Sequence, residues 1–377
     1  KQIFLSGATG FLGAFLLVEL LQKTTAIVHC LVRATDTASA QQRIQENLES
    51  YKLWQEDFRD RLVALPGDLS QLYMGLSKKQ IQELGDCIEV IYHNGAFVNS
   101  LYPYSAFKQS NVTGTEEILR LAVCGKLKAV HFVSSLSVVH SADYLHREAV
   151  LEVDGDRWEG LFNGYTQSKW VAEQICKIAS TRGIPVCIYR PGVISGHSQT
   201  GIGNTSDLLH TVLKGFIDLE SAPDLDAIWD FTPVDYISQA LVHLSLQSNS
   251  VGKTLHLTNP NPIWLSDLIE MITDLGYPVQ KVTYETWKSY VRDFVRQAPS
   301  DKWESLLSIF PEEFSVEQYK VLKLEFDCKN TLIGLKNTSI SCHPVDRKLL
   351  KTYLSHLISH GFLKPLSTLS TTSDIDA

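Results

Sequence analysis

Tyr165 and Lys169 stand four residues apart in the run Asn163-Gly164-Tyr165-Thr166-Gln167-Ser168-Lys169-Trp170. On a helix that spacing puts both side chains on one face, one turn from each other. A free tyrosine hydroxyl, with a pKa of ~10, is a poor acid–base group at neutral pH. A nearby ammonium stabilises the phenolate and lowers that pKa. Such a tyrosine can pass a proton to or from a carbonyl oxygen. Spacing alone does not select this pair. Tyr-x-x-x-Lys occurs five times, starting at Tyr104, Tyr165, Tyr277, Tyr284 and Tyr319. Position in the fold must choose among them.

The elements ahead of Tyr165 supply that position. Gln2–Ser6 predicts a short buried strand. Gly7-Ala8-Thr9-Gly10-Phe11-Leu12-Gly13 follows and opens a helix to about Gln22. Strand, glycine turn and helix together are the context of a dinucleotide site, although the spacing is Gly-x-x-Gly-x-x-Gly. Glycines let the backbone approach a pyrophosphate, and the helix N-terminus offers free N–H groups. The same glycines would also serve a purely structural turn. Ala26–Val32 predicts a second strand, ending in Arg33 where an NAD-preferring enzyme has an acid on the ribose. Arg33, helped by Arg43, is placed to pair with the extra phosphate of NADP; a solvated strand-end arginine is the alternative.

Further strands are expected at Leu62–Leu65, ending in Gly67-Asp68-Leu69, and at Glu89–His93, ending in Asn94-Gly95-Ala96. Asn111 opens Asn111-Val112-Thr113-Gly114-Thr115 in a helical stretch, and Lys128–Val133 leads into Ser134-Ser135-Leu136-Ser137. Alternating strands and helices imply a parallel sheet, with ligands at the carboxyl ends of its strands. Ser135 falls at such an end and Tyr165 opens the next helix, so the two can converge. Tyr104 with Lys108 is the one serious rival, since it too follows a strand end.

In the second half, Ile184–Tyr189 predicts a sixth strand, ending at Arg190-Pro191-Gly192. Gly196–Gly203 reads as a mobile loop before a helix at Leu208–Leu219. Phe231–Asp235 is expected to return to the sheet, ahead of a helix from Tyr236 and a late strand at Lys253–Leu257. Helical periodicity dominates from Trp264 to His360, where Trp287, Trp303 and Phe310 suit either an acyl channel or a core. The expected fold is α/β: a Rossmann-type doubly wound parallel sheet (1–203 and 229–262) with a smaller, mostly helical substrate-binding domain (204–228 and 263–366). The Ser/Thr-rich tail, 367–377, reads as disordered.

Composition bounds the function. The chain has 377 residues, a net charge of −8, 44% hydrophobic and 20% charged residues. The acidic balance argues against nucleic acid, whose phosphates need a basic face. Seven cysteines, none in Cys-x-x-Cys spacing, read as reduced thiols of a cytosolic protein. His93, His140 and His197 lack metal-ligand spacing, so no metal is expected. The longest apolar run, within Phe11–Leu21, is broken by Gly13 and Glu19 and falls short of the ~20 residues of a membrane span. The chain opens directly on a strand and reads as a domain cut from a longer protein, monomeric by itself.

With these motifs in place the sequence resembles the extended short-chain dehydrogenase/reductases. Within them it is similar to the thioester reductase domains that terminate nonribosomal peptide synthetases. The resemblance rests on Gly7 to Gly13, Cys30-Leu31-Val32-Arg33, His93-Asn94-Gly95-Ala96, Asn111-Val112-x-Gly114-Thr115, Gly164-Tyr165-x-Gln167-Ser168-Lys169-Trp170-x-Ala172-Glu173 and Arg190-Pro191-Gly192-x-Ile194-x-Gly196. It implies a catalytic set of Ser135, Tyr165 and Lys169. It implies a cofactor site of Gly7, Thr9, Gly10, Phe11, Leu12, Gly13, Arg33, Arg43, Asp68, Leu69, Asn94, Gly95, Ala96, Asn111, Lys169, Arg190 and Pro191. The cofactor it implies is NADPH. The implied reaction is reduction of a thioester, held on the phosphopantetheine arm of a carrier protein, to an aldehyde or on to the alcohol. A sugar-nucleotide epimerase or dehydratase, and a non-catalytic NADP sensor, are the alternatives on the same fold.

Overall fold

A computed structural model describes residues 1–99, 101–297, 304, 306–307, 310–311 and 313–365. Trp303 and the 367–377 tail lie outside the described residues.

Seven strands form one parallel sheet: β1 (Gln2–Ser6), β2 (Ile27–Val32), β3 (Leu62–Pro66), β4 (Val90–His93), β5 (Ala129–Val133), β6 (Val186–Pro191) and β7 (Thr254–Leu257). Their spatial order is β7-β6-β5-β4-β1-β2-β3. Helices cover both faces, so the inner strands are apolar on both sides. β6 is buried at every position. The strand order reverses between β1 and β4, where Ser6 lies opposite His93. A crevice at the carboxyl ends of these two strands is where such a sheet binds ligands.

The Phe11–Lys23 helix begins at Gly10 without a side-chain cap and is buried from Leu12 to Leu21. It is apolar almost all round because it is wedged between the sheet and the Val234–Ser245 helix. It ends where Thr24 turns extended, and the Thr24 hydroxyl donates to the Leu20 carbonyl at 2.7 Å.

Tyr165 and Lys169 ride on the Gly164–Thr181 helix. Asn163 caps it: the side-chain oxygen accepts from Thr166 N at 2.8 Å. Gly164 is required by close approach, since a Cβ there would stand 2.4 Å from Tyr104 N and 2.5 Å from the Pro103 carbonyl carbon.

A second core lies beside the sheet. Leu209, Phe216, Leu268, Trp287, Leu350 and Leu357 belong to it. It gathers chain from 209–231 and from 263–363. The Phe231–Asp235 segment does not return to the main sheet. Thr232–Pro233 pairs instead with Ile194–Ser195 in a separate two-stranded ladder. Strand propensity marked the segment, but pairing partners are set by tertiary packing. The Gly196–Gly203 loop is pinned rather than loose: Ser198 donates from its N–H (2.9 Å) and its hydroxyl (2.6 Å) to Asp235. Among the described residues no helix is long and apolar enough to cross a membrane.

Candidate active site

The crevice above β1 and β4 is a cleft of 540 Å³ whose lining includes Gly7, Gly10, Gly13, Arg33, Asp68 and Asn94. Two glycines make it. Gly7 has φ +79°, and a Cβ on it would stand 2.6 Å from Gly95 N; one on Gly13 would stand 1.8 Å from the Gly7 carbonyl oxygen. The turn, the helix start and the β4 end therefore close on one another only without side chains. Gly10 has nothing nearer than 3.5 Å where its Cβ would be, so the uncapped helix N-terminus faces the cleft. That donor set fits the pyrophosphate of a dinucleotide. Thr9, Phe11, Leu12, Leu69, Gly95, Ala96 and Pro191 line the same cleft.

Behind the cleft a hydrogen-bond chain fixes the β4 end. Gly95 N donates to Ser6 Oγ at 3.0 Å, and Ser6 Oγ lies 2.7 Å from His93 Nδ1. His93 Nε2 lies 3.0 Å from Thr115 Oγ1, which donates to the Asn111 carbonyl at 2.6 Å. Accounting for each proton puts the imidazole hydrogen on Nε2. Burial, and then the Lys169 charge, pull the His93 pKa down to about 3, so the ring stays neutral.

Ser135, Tyr165 and Lys169 all line the cleft at the β5 end. Ser135 Oγ accepts from Ser137 N at 3.1 Å and keeps its own proton to donate. Lys169 is buried; its ammonium donates to the Val133 carbonyl at 2.7 Å and sits 4.3 Å from the Phe132 ring centroid. Burial lowers its pKa to about 8. Burial also pushes the Tyr165 hydroxyl up to about 12. The expected depression of the tyrosine by the lysine is therefore not what the structure shows. The carbonyl of Val133 holds the ammonium, and desolvation dominates at the phenol.

Ser135 also opens onto a second cavity of 390 Å³. Leu209, Val212, Trp229, Phe310 and Phe326 give it an apolar wall, and the two cavities share Ser135, Pro191, Gly192, Val193, Leu208 and Leu209. A polar edge of Ser135, Tyr165 and Lys169 thus lies where the cleft adjoins an apolar pocket. Residues 5–241 match the NAD-binding family described as Male sterility protein. The terminal R domain of the myxalamid PKS-NRPS biosynthetic pathway is 43% identical, with a TM-score of 0.90 over 97% of this chain and 92% of that one. The chain belongs to this terminal reductase family.

It is an oxidoreductase domain of the extended short-chain dehydrogenase/reductase superfamily, with a nicotinamide cofactor site. A linear gramicidin synthase polypeptide of Brevibacillus parabrevis is 40% identical over 97% of the chain, which spans 7% of that protein. Glycine betaine reductase of Emericella nidulans is 35% identical over 97% of the chain, which spans 29% of that protein.

Three residues expected at the cofactor, Arg190, Asn111 and Arg43, are not in the lining of the cleft. Arg190 is fully buried and does not line the cleft. It donates to both Glu173 oxygens (3.0 and 2.5 Å) and to the Asp154 carbonyl (2.6 Å). Its position at a strand end was readable, but not the buried carboxylate that turns it inward. Asn111 is also buried behind the cleft, on a π-helical turn, with its side chain bonded to Phe97 N (2.7 Å), Phe97 O (3.0 Å) and Ser168 Oγ (2.9 Å). It ties the cleft wall at Phe97 to Ser168 of the Gly164–Thr181 helix. Arg43 donates to the Arg33 carbonyl and stands beside the cleft rather than in its lining. Tyr104 and exposed Lys108 lie outside the lining as well, which separates them from Ser135. Ser134 lines the cleft beside Ser135, but its hydroxyl is committed to Glu173 at 2.6 Å. Trp287 is core: it is fully buried and donates to the Ser221 carbonyl at 3.2 Å.

Sequence reasoning missed Phe97, Gly192, Val193, Asn204 and Asp207, which also line the cleft. The Pro-Gly at the end of β6 was an available signal for Gly192. Nothing local signals Asn204 or Asp207, which reach the cleft by tertiary folding.

Proposed function

We propose that the domain uses NADPH to reduce an acyl or peptidyl thioester, presented on the pantetheine arm of a carrier protein, and releases it as an aldehyde. The observation that carries this reading is the junction at Ser135, where the nucleotide cleft meets an apolar pocket with no lysine or arginine among its described lining residues. An acyl chain suits that pocket. The diphosphate of a sugar nucleotide does not, because it would find no cationic partner there.

The chain's groups have distinct parts. Arg33, exposed at the β2 end, is placed for a charge-assisted pair with the 2′-phosphate. The cofactor, when bound, supplies a hydride to the thioester carbonyl carbon. Ser135 and Tyr165 donate hydrogen bonds to the oxygen as its charge grows. Tyr165 then gives that oxygen its proton. Burial, which pushes the Tyr165 pKa up to about 12, keeps the hydroxyl protonated at neutral pH, so it has a proton to give. The Lys169 ammonium, one turn below, offsets the phenolate left behind. The hemithioacetal breaks its C–S bond as its hydroxyl proton passes to the sulfur, so the arm leaves as a thiol, the aldehyde is free and Tyr165 regains its proton from solvent.

The second core, built from 209–231 and 263–363, serves in this reading as the acyl-binding unit. Offering acyl-carrier thioester with NADPH and identifying the product by mass spectrometry tests the reading. Aldehyde from the carrier thioester, far less from the matching small thioester and none from the free acid is expected. Comparable reduction of free acid without ATP overturns it.

A further inference from the structure

The apolar pocket has a neighbour on the side away from Ser135. Pro260, Glu325 and Phe326 line it there, and the same three residues line a wider, solvent-open recess of 600 Å³. The wall between the two is ordered backbone. Val150 N donates to the Glu325 carbonyl at 2.8 Å, and Asp327 N donates to the Val150 carbonyl at 2.9 Å. The Phe326 ring on this wall lies 5.9 Å from the His140 ring, itself part of the apolar pocket. From Ser135 the apolar pocket thus reaches the Pro260, Glu325 and Phe326 wall, and the recess lies against the same three residues.

The charge of the recess narrows its occupant. Glu148, Glu325, Asp327, Lys329 and Arg147 line it, and Arg147 already pairs with Asp154 at 3.1 Å. A phosphopantetheine arm would bring a phosphate into that acidic setting, where like charges repel. The uncharged amide backbone of a peptide has no such penalty and can use the exposed carboxylates as acceptors.

We propose that the recess is an outer subsite for a peptidyl substrate, whose first side chain fills the apolar pocket while the chain passes Phe326 and emerges among Glu148, Asp327 and Leu332. This deepens the thioester reading and rests on it. It makes the enzyme one for chains longer than the 390 Å³ pocket holds, with an apolar residue at the thioester and polar residues tolerated beyond it.

The test loads one carrier protein with two probes, N-acetyl-leucyl thioester and an N-acetylated pentapeptidyl thioester ending in leucine. The pentapeptidyl probe is expected to show a KM about tenfold below that of the leucyl probe. Leu332→Trp and Ala149→Trp place bulk in the recess without touching the catalytic edge. Leu332 is 46% exposed, so its variant needs no core space. In both variants the pentapeptidyl advantage should vanish, with the leucyl KM and NADPH binding held at wild-type values. An advantage that survives both variants overturns the subsite. So does an equal rise in KM for both probes, which would place the arm in the recess. Wild-type reduction of the leucyl probe with no pentapeptidyl advantage removes the subsite alone. Failure to reduce either probe removes the thioester reading itself.

Discussion

The Lys169 ammonium lies 2.7 Å from the Val133 carbonyl oxygen, the last residue of β5 and two before Ser135. One hydrogen bond thus ties the Gly164–Thr181 helix to the strand end that carries Ser135. It also keeps a cation in a buried site, where burial brings its pKa to about 8.

A pH dependence follows. Below pH 8 the lysine is charged and available to offset a phenolate; above it the charge is lost. The folded value lies under the ordinary 10.5, so folding disfavours the charged form, and this penalty fades as pH rises from about 8 to 10.5. Activity should therefore fall on an alkaline limb near pH 8 while stability does not fall with it. Lys169→Arg keeps its charge at any accessible pH. Its rate is expected to be lower, with the limb near pH 8 gone. An unchanged limb in that variant would assign it to another group.

Tyr165→Phe keeps the ring that packs edge-on to Phe107, 6.1 Å between centroids, and removes the hydroxyl. Turnover should drop ~100-fold or more while NADPH still binds, measured by single-turnover kinetics and cofactor fluorescence. Tyr104→Phe should leave the chemical step intact. The reverse pattern would transfer the role to Tyr104.

Much of this arrangement was legible before the structure, and the reason is local. The strands, the glycine turn and the placement of Tyr165 after β5 are written in short-range pattern: apolar runs, turn residues and helix spacing. What escaped reading is long-range. Arg190 looked like a ligand at a strand end until Glu173, seventeen residues away, was seen to hold it. The Ile194–Thr232 ladder and the apolar pocket draw residues from segments far apart in the chain. Protonation was likewise hidden: spacing placed Lys169 near Tyr165, but burial, which spacing does not report, sets both pKa values.

In the proposed reading, Arg33 selects NADPH over NADH. Removing its guanidinium with Arg33→Ala should weaken NADPH binding ~10-fold and leave NADH little changed, as measured by titration of each. A variant that keeps the wild-type NADPH/NADH ratio would show that Arg33 is only a solvated strand end.

Glu173 and Arg190 are both fully buried, and the pair sits two turns beyond Tyr165 on the catalytic helix, joining it to β6. Lys177 adds a contact at 3.0 Å and the Ser134 hydroxyl one at 2.6 Å, so no carboxylate oxygen is left without a donor. Burial opposes the charge, but the guanidinium wins and holds the Glu173 pKa down to about 2. A buried pair of this kind adds little net stability against a well-packed apolar replacement, yet removing one partner leaves the other charge uncompensated. Arg190→Met should therefore lower the unfolding free energy by ~3–5 kcal/mol. The acid limb gives an independent check. The folded pKa lies below the ordinary 4.5, so the pair's contribution is full above about 4.5 and disappears as pH falls towards about 2. In wild type, stability should decline across that window. In Glu173→Gln the decline should be shallower, because the titrating group is gone, although the protein is less stable at neutral pH. Denaturant melts at pH 7 and at pH 3 measure both quantities. Equal pH slopes in the two proteins would mean that another carboxylate governs the acid limb.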